Sequence, residues 1–202
     1  WVAFEKGYFD DEGLDYTFKE QITKKHAQAH NIGNKRGAYT TFEEGRRGDV
    51  SSACHWTVNV AASKGHGRIY ANAYSVSPCG VFVHPDSGIK TPDDLAGVPI
   101  SVGHQSGTHY STIQALEKFL SAKEINLSFN EGMLWARMEK LIDGEVPATT
   151  LFSGPYYFLS QLGFKKIVEC TFMMAGAISG DTDVKEVDNY YSCLLYTCDA
   201  AD

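Results

Sequence analysis

The sequence predicts an α/β fold with largely parallel sheets, and three observations predict it. Short apolar runs alternate along the chain with stretches whose apolar residues recur at helical spacing. Glycines stand at most of the joins, where helices end and turns need freedom that other residues lack. Strand and helix follow each other singly rather than in blocks, which is the pattern of βα units. With 202 residues, 43% of them hydrophobic, the chain suffices for one large domain or two small ones, each with its own core.

Residues 1–13 read as the end of a helix, with Gly7 and Gly13 as its stop signals. Residues 14–18 alternate apolar and polar, as a half-buried strand does. Residues 23–38 are polar and read as a loop or a surface helix; residues 39–47 read as a short helix stopped by Gly48. Residues 49–54 form a short buried strand, and 55–64 a helix with Trp56, Val60 and Ala61 on one face. The next strand is 68–74. The second half opens with strand 79–84 and a turn at Pro85. A helix follows that Thr91 can cap, with Pro92 at its first position, where the missing N–H costs nothing, and Gly97 after it. Strand 98–102 leads through "GHQSG" into a helix carrying Ile113, Leu116 and Leu120. Leu134, Met138, Leu141 and Ile142 mark another helix, ended by Gly144. Strand 146–152, helix 155–162 and a last strand, 166–170, complete the pattern.

The net charge of −7, with basic residues scattered, excludes nucleic acid as partner, since phosphate binding needs a basic stripe. No run of 18 apolar residues is present to cross a membrane as a helix. The chain opens on Trp1 and not Met, so its natural start is expected upstream, and a missing leader says nothing about compartment. At the other end, residues 193–202 resemble the translation of a transposon-end sequencing adapter, with Cys198 where Ser is usual. They are expected to be a read-through tail outside the fold. That leaves Cys54, Cys79 and Cys170, without metal-ligand spacing or an even count for a disulfide framework.

Read in order, "FEKGYFDDEGLDYTF", "FEEGRRGDVSSA", "VFVHPDSGIKTPDDLAGVPISVG" and "LEKFL" resemble the solute-binding proteins of nitrate/sulfonate/taurine-type ABC importers. Their superfamily includes the thiamin-pyrimidine-precursor proteins. The likeness runs from Trp1 to Cys170, with "DSGIKTPDDLAG" its most specific part. It implies a type II periplasmic-binding-protein fold, two α/β lobes with a ligand cleft between them, truncated here at both ends. Lobe one would be residues 1–76, incomplete, lobe two 80–168, and 169–192 the return crossover toward lobe one. The resemblance implies binding of a small organic or oxyanionic solute and its delivery to an ABC permease of the inner membrane. It further implies a monomer in the periplasm or on an extracytoplasmic lipid anchor, with no cofactor. An enzyme on the same fold is the alternative, of pyrimidine-precursor synthase or aromatic-acid decarboxylase type. The cysteine-rich iron motif of the synthases has no counterpart here.

In open α/β sheets ligands sit at the carboxyl ends of strands, against helix N-termini. Strand 98–102 aims His104–Thr108 at that edge. Free N–H groups at the helix start, with the Ser106 and Thr108 hydroxyls, suit a carboxylate, sulfonate or phosphate oxygen, and Gly107 permits close approach. Capping of the helix by Ser106 or Thr108 is the competing reading, and both can hold at once. His104 and His109 lack the further ligands that a metal needs, and His26 and His30 fit a polar helix face. Ser52, His55 and Trp56 would face the cleft from lobe one, Trp56 by stacking or by packing in the core. Cys54 and His55 are adjacent on the chain, which points their side chains apart rather than into a dyad. Tyr74, Ser75 and Ser77 lie at the first crossover, and Ser153, Pro155 and Tyr156 at another strand end, where they fit orientation of a small ligand.

Overall fold

A computed structural model describes residues 2–16, 49–129, 134–178 and 182–199. The expected loop at 23–38, the helix at 39–47 and the end of the strand at 14–18 lie outside these residues, as do His26 and His30; Leu14–Tyr16 is not a strand.

Two short helices, α1 (Val2–Glu5) and α2 (Tyr8–Asp11), open the chain. Gly7 and Gly13 follow them with φ of 74° and 66°, the left-handed backbone that glycine adopts without a steric penalty. Strand β1 (Val50–Cys54) runs directly into α3 (His55–Ser63), and β2 (Arg68–Ser77) leads to β3 (Cys79–Val83). A 3-10 turn at Pro92–Leu95 precedes β4 (Pro99–Ser101). Its start carries the expected cap: Thr91 and Asp94 exchange side-chain and backbone hydrogen bonds, with Pro92 at the first position. Then come α4 (Gly107–Leu116), β5 (Asn126–Ser128), α5 (Leu134–Ile142), β6 (Ala148–Phe152) and α6 (Ser153–Gln161). The chain continues through β7 (Lys165–Glu169) and β8 (Phe172–Ile178) to α7 (Val184–Asp199).

The strands form two sheets. One has the order β1-β8-β2, the other β5-β4-β6-β3-β7. The expectation of largely parallel sheets is corrected here. Among the described residues only β4–β5 and β4–β6 pair in parallel, while β3 runs antiparallel to both β6 and β7, and β8 runs antiparallel to both β1 and β2. The reason is the connectivity: β3 enters the second sheet from the first, and β8 returns, so each runs against its neighbours. This is the two-lobed type II arrangement, with β3 and the β7–β8 segment as the crossings. At those crossings Cys170 N–H donates to the carbonyl of Cys79 at 2.8 Å.

Each lobe buries an apolar face. Val81, Val83, Leu95, Ile100, Val102, Leu116 and Ala148 form the core on the α4 side of the five-stranded sheet. Phe82, Met138, Leu141, Leu151 and Leu159 form the core beneath α5 and α6. Ala3, Phe9 and Cys193 pack together under α7, which spans the start of the segment expected as an adapter-derived tail and buries Cys193 completely. Among the described residues no helix is long and apolar enough to cross a membrane.

Candidate functional site

The carboxyl end of β4 turns into α4 through Val102–Ser106, and this turn is built by its own hydroxyls. Gly103 N–H donates to Thr108 Oγ1 at 3.1 Å, and Ser106 Oγ donates to the carbonyl of Gly103 at 2.6 Å. The two hydroxyls are 2.8 Å apart. Since Ser106 has given its hydrogen to Gly103, Thr108 is the donor in that contact. Both hydroxyl hydrogens are therefore used within the turn. Neither caps the helix: α4 has no side-chain cap bond at Ser106, and its ladder begins with the His109 N–H, which donates to the Ser106 carbonyl at 3.1 Å. The Gly107 and Thr108 N–H groups, aligned with the helix dipole, therefore have no acceptor from a cap side chain.

The turn is strained. Gln105 has φ of 50°, a left-handed value unusual for a residue with a Cβ. Its N–H donates to His109 Nδ1 at 3.1 Å, which fixes His109 in the tautomer protonated at Nε2. Burial, and then the neighbouring His104, hold His109 below its ordinary value. The His104 and His109 rings lie 5.9 Å apart, both edge-on to Phe129. The second left-handed residue with a side chain among those described is Ser153, φ 55°, where β6 turns into α6. Both outliers thus stand where a parallel strand of the second sheet meets its helix, a placement typical of functional turns.

The turn faces the other lobe. A Cβ built on Gly107 would lie 2.8 Å from the Phe172 ring and 2.9 Å from Cys54 Cβ, so only glycine lets α4 approach the end of β1. Trp56, half-buried on α3, has its ring 5.6 Å from Tyr110 and 6.3 Å from Phe172. A small cleft of about 200 Å³ opens there, lined by Trp56, Thr57, Val60, Lys64, Gln105 and Tyr110.

The remaining residues singled out from sequence distribute as follows. The His55 ring lies tilted against Trp56, centroids 3.9 Å apart, with Nδ1 3.0 Å from the carbonyl of Met173, while Cys54 Sγ pairs with Thr57 Oγ1 at 2.9 Å, so the two neighbours point to different partners. Ser52 and Ser75 are exposed on the first sheet, opposite Gly176 and Met174. Tyr74 pairs through its backbone with Ala175, and its side chain lies outside the described residues. Ser153 Oγ is 3.4 Å from Ser77 Oγ, at the base between the lobes. Tyr156 stands apart from the turn. Its hydroxyl donates to Glu169 at 3.2 Å and accepts from Lys166 Nζ at 2.6 Å, and its ring meets Phe82 edge-on. Among the described residues no three His, Cys, Asp or Glu side chains gather as metal ligands would.

One residue at this turn was not foreseen from the sequence. Arg137, on α5, is only 4% exposed, and the Cβ position of Gly103 lies 2.7 Å from its Nη1 and 2.9 Å from Ser106 Oγ. Burial pushes its guanidinium down to about 10, with nearby Cys79 acting in the opposite sense, so it remains a cation at neutral pH. A signal was available: Leu134, Arg137, Met138 and Leu141 follow the i, i+3, i+4, i+7 spacing of a buried stripe, which puts a charge where an apolar residue belongs.

No protein-family model matches the sequence, and no curated protein matches it. Solved structures do. The alkanesulfonate-binding protein SsuA from Xanthomonas axonopodis pv. citri, bound to MOPS, matches with a TM-score of 0.54 and 21% identity, over 68% of this chain and 50% of that one. A mutant of the desulfurization enzyme DszB in complex with biphenyl-2-sulfinic acid matches with a TM-score of 0.65 and 14% identity, over 100% of this chain and 73% of that one. The substrate-binding protein of an amino acid ABC transporter matches with a TM-score of 0.60 and 16% identity, over 99% and 81%. At such identities the likeness shows the fold, which is that of the periplasmic binding proteins. The chain spans about half the length of the sulfonate-binding proteins it matches.

Proposed function

We propose that this chain is part of a solute-binding protein that closes its two lobes on a small organic or oxyanionic solute and passes it to the permease of an ABC importer. It would work outside the cytoplasm, in the periplasm or on a lipid anchor, as a monomer without a cofactor. The observation that carries this reading is the Gly103–Thr108 turn. It presents uncapped N–H groups of α4 across a glycine contact to the opposite lobe, beside a cleft walled by Trp56 and Tyr110. Such an N-terminus suits the oxygen atoms of an anionic head group, and Trp56 suits its organic body. The proposed frame of residues 1–76, 80–168 and 169–192 makes binding a hinge motion, populated according to how much better the ligand fits the closed form. In that frame Ser52, His55, Tyr74, Ser75, His104, Ser153 and Tyr156 belong to the cleft wall or its supports.

Calorimetric titration of the protein with alkanesulfonates, alkanecarboxylates and alkylamines, followed in parallel by Trp56 fluorescence in a Trp1→Phe, Trp135→Phe background, tests the reading. Saturable binding of one class with a change in Trp56 emission is expected; no binding by any probe would overturn it. The second reading is an enzyme on this fold, which the whole-chain match to DszB keeps in view. Conversion of a bound probe to product, read by mass spectrometry, separates the two.

A further inference from the structure

Three buried side-chain atoms among the described residues have no hydrogen-bond partner: Ser101 Oγ, His104 Nδ1 and Arg137 Nε. All three belong to residues at the β4–α4 turn, Ser101 and His104 on the chain itself and Arg137 against Gly103. A buried polar group left unpaired is costly, and a buried unpaired charge more so. Three such atoms together at one strand end point to a group that completes them.

From this, and resting on the reading of the turn as the ligand site, we propose that Arg137 is the counter-charge for the ligand's head group. The solutes taken would then be organic anions, sulfonates or carboxylates, and neither neutral nor cationic compounds. The guanidinium reaches the head group's place from below: Nη1 and Ser106 Oγ both crowd the point where a Gly103 side chain would stand, so residue 103 has to be glycine for the cation and the turn to meet. The ionisable group that acts on it, the Cys79 thiol, is held protonated by burial, so it does not neutralise the arginine. Ser106 and Thr108 have already spent their hydroxyl hydrogens within the turn. At the turn itself the guanidinium and the Gly107 and Thr108 N–H groups, whose helix dipole favours the same charge, are left for an anion, with Lys64 a further cation on the cleft wall. A planar guanidinium suits the paired oxygens of a sulfonate or carboxylate, which it can meet with two parallel hydrogen bonds.

The test uses the whole chain, titrated at fixed ionic strength with butanesulfonate and butyrate, with butanesulfonamide and butyramide as neutral counterparts, and with butylamine. The wild type is expected to bind at least one anion and none of the neutral or cationic probes. Arg137→Met should weaken that binding by about 10- to 100-fold, the usual range for one charge-assisted contact. Arg137→Lys should lie between. The melting temperature supplies an independent sign: Arg137→Met, relieved of a buried unpaired charge, should melt at or above the wild-type temperature without ligand and lose the anion-induced rise. Should the variants not fold, the wild type alone decides, through the ¹⁵N–¹H resonance of Arg137 Nε, which must move on saturation with the anion. Unchanged anion affinity in folded Arg137→Met, a resonance that stays in place, or binding of neutral probes as tight as of anions would overturn the proposal and leave the solute-binding reading standing. Binding of no probe at all would overturn both.

Discussion

The sulfur atoms of Cys79 and Cys170 lie 3.4 Å apart, one at the start of β3 and the other between β7 and β8, so the two crossings between the lobes touch through buried thiols. Burial, then the hydrogen bond to Cys170, drives the Cys79 thiol far above its ordinary range. The folded protein keeps this proton where an unfolded chain loses it, at about pH 8.5. Between those limits the native state binds more protons, so stability is complete below about pH 8.5 and declines as pH rises further. Urea midpoints should therefore fall between pH 7.5 and 9.5, and the Cys79→Ala variant, though less stable overall, should show a smaller fall. An equal fall in that variant would exclude the thiol as the cause.

His109 gives the opposite slope at the acid end. Its folded value lies below that of an unfolded histidine, ordinarily about 6.5, because of burial and the nearby His104. Its Nδ1 also accepts the Gln105 N–H, a bond the imidazolium cannot keep. In that window the unfolded chain binds the extra proton, so stability present above about pH 6.5 is lost as pH falls through the folded value. An NMR titration should place His109 below a free histidine, with the Gln105 amide shifting along the same curve. A His109 value at or above the free one would contradict the geometry of the turn.

Helix α4 is fastened to β6 by two buried threonines. Thr112 Oγ1 donates to the carbonyl of Thr108 at 2.5 Å, and the hydrogen between Thr112 and Thr150, 2.7 Å apart, therefore comes from Thr150. The pair is asymmetric. Thr112→Val removes one bond and leaves the Thr150 hydroxyl without its acceptor, which should cost about 1–3 kcal/mol. Thr150→Val leaves the Thr112 bond intact and should cost less than about 1 kcal/mol. The double variant should recover part of the Thr112→Val loss. A larger cost for Thr150→Val than for Thr112→Val, measured by chemical denaturation, would reverse the assigned direction of donation.

Much of this architecture is legible along the chain, because it is set locally. The β1–α3 join at Cys54 and His55, the Thr91–Pro92 start with its Asp94 partner, and the glycines after α1, α2, α5 and α6 depend on residues a few positions apart. What escapes is what the sheets decide. Strand β8, "FMMAGAI", carries Gly and Ala in its middle and has weak intrinsic strand preference, yet it is held on both sides by β1 and β2. Strand β5 is three residues long and exists as an edge partner of β4. The site divides in the same way. The turn 103–108 shows itself through Gly, Ser and Thr between a strand and a helix, but the use of both hydroxyl hydrogens within the turn requires the folded distances. Arg137 shows its burial through its place on the Leu134, Met138 and Leu141 stripe, but that its guanidinium meets Gly103 of the turn is decided only when α5 packs in the fold.

The contact between lobes at Gly107 yields the last prediction. In Gly107→Ala the new methyl would stand 2.8 Å from two atoms of the Phe172 ring and 2.9 Å from Cys54 Cβ, closer than carbon atoms approach without displacement. Residue 107 lies in regular helix, so alanine is welcome there as backbone and the cost is purely one of space. Phe172 is itself pinned edge-on to Phe152, 5.2 Å away, and is 4% exposed, so it has little room to yield. The substitution should cost about 1–3 kcal/mol, the range of overpacking in a tight core. It should also weaken ligand affinity, by holding α4 away from the end of β1 in the closed form. Trimming the obstacle should reverse this second effect: Gly107→Ala combined with Phe172→Leu should bind more tightly than Gly107→Ala alone, whereas Phe172→Leu alone should gain nothing. Additive losses in the double variant, read by denaturation and by titration, would show that Gly107 and Phe172 do not meet as described.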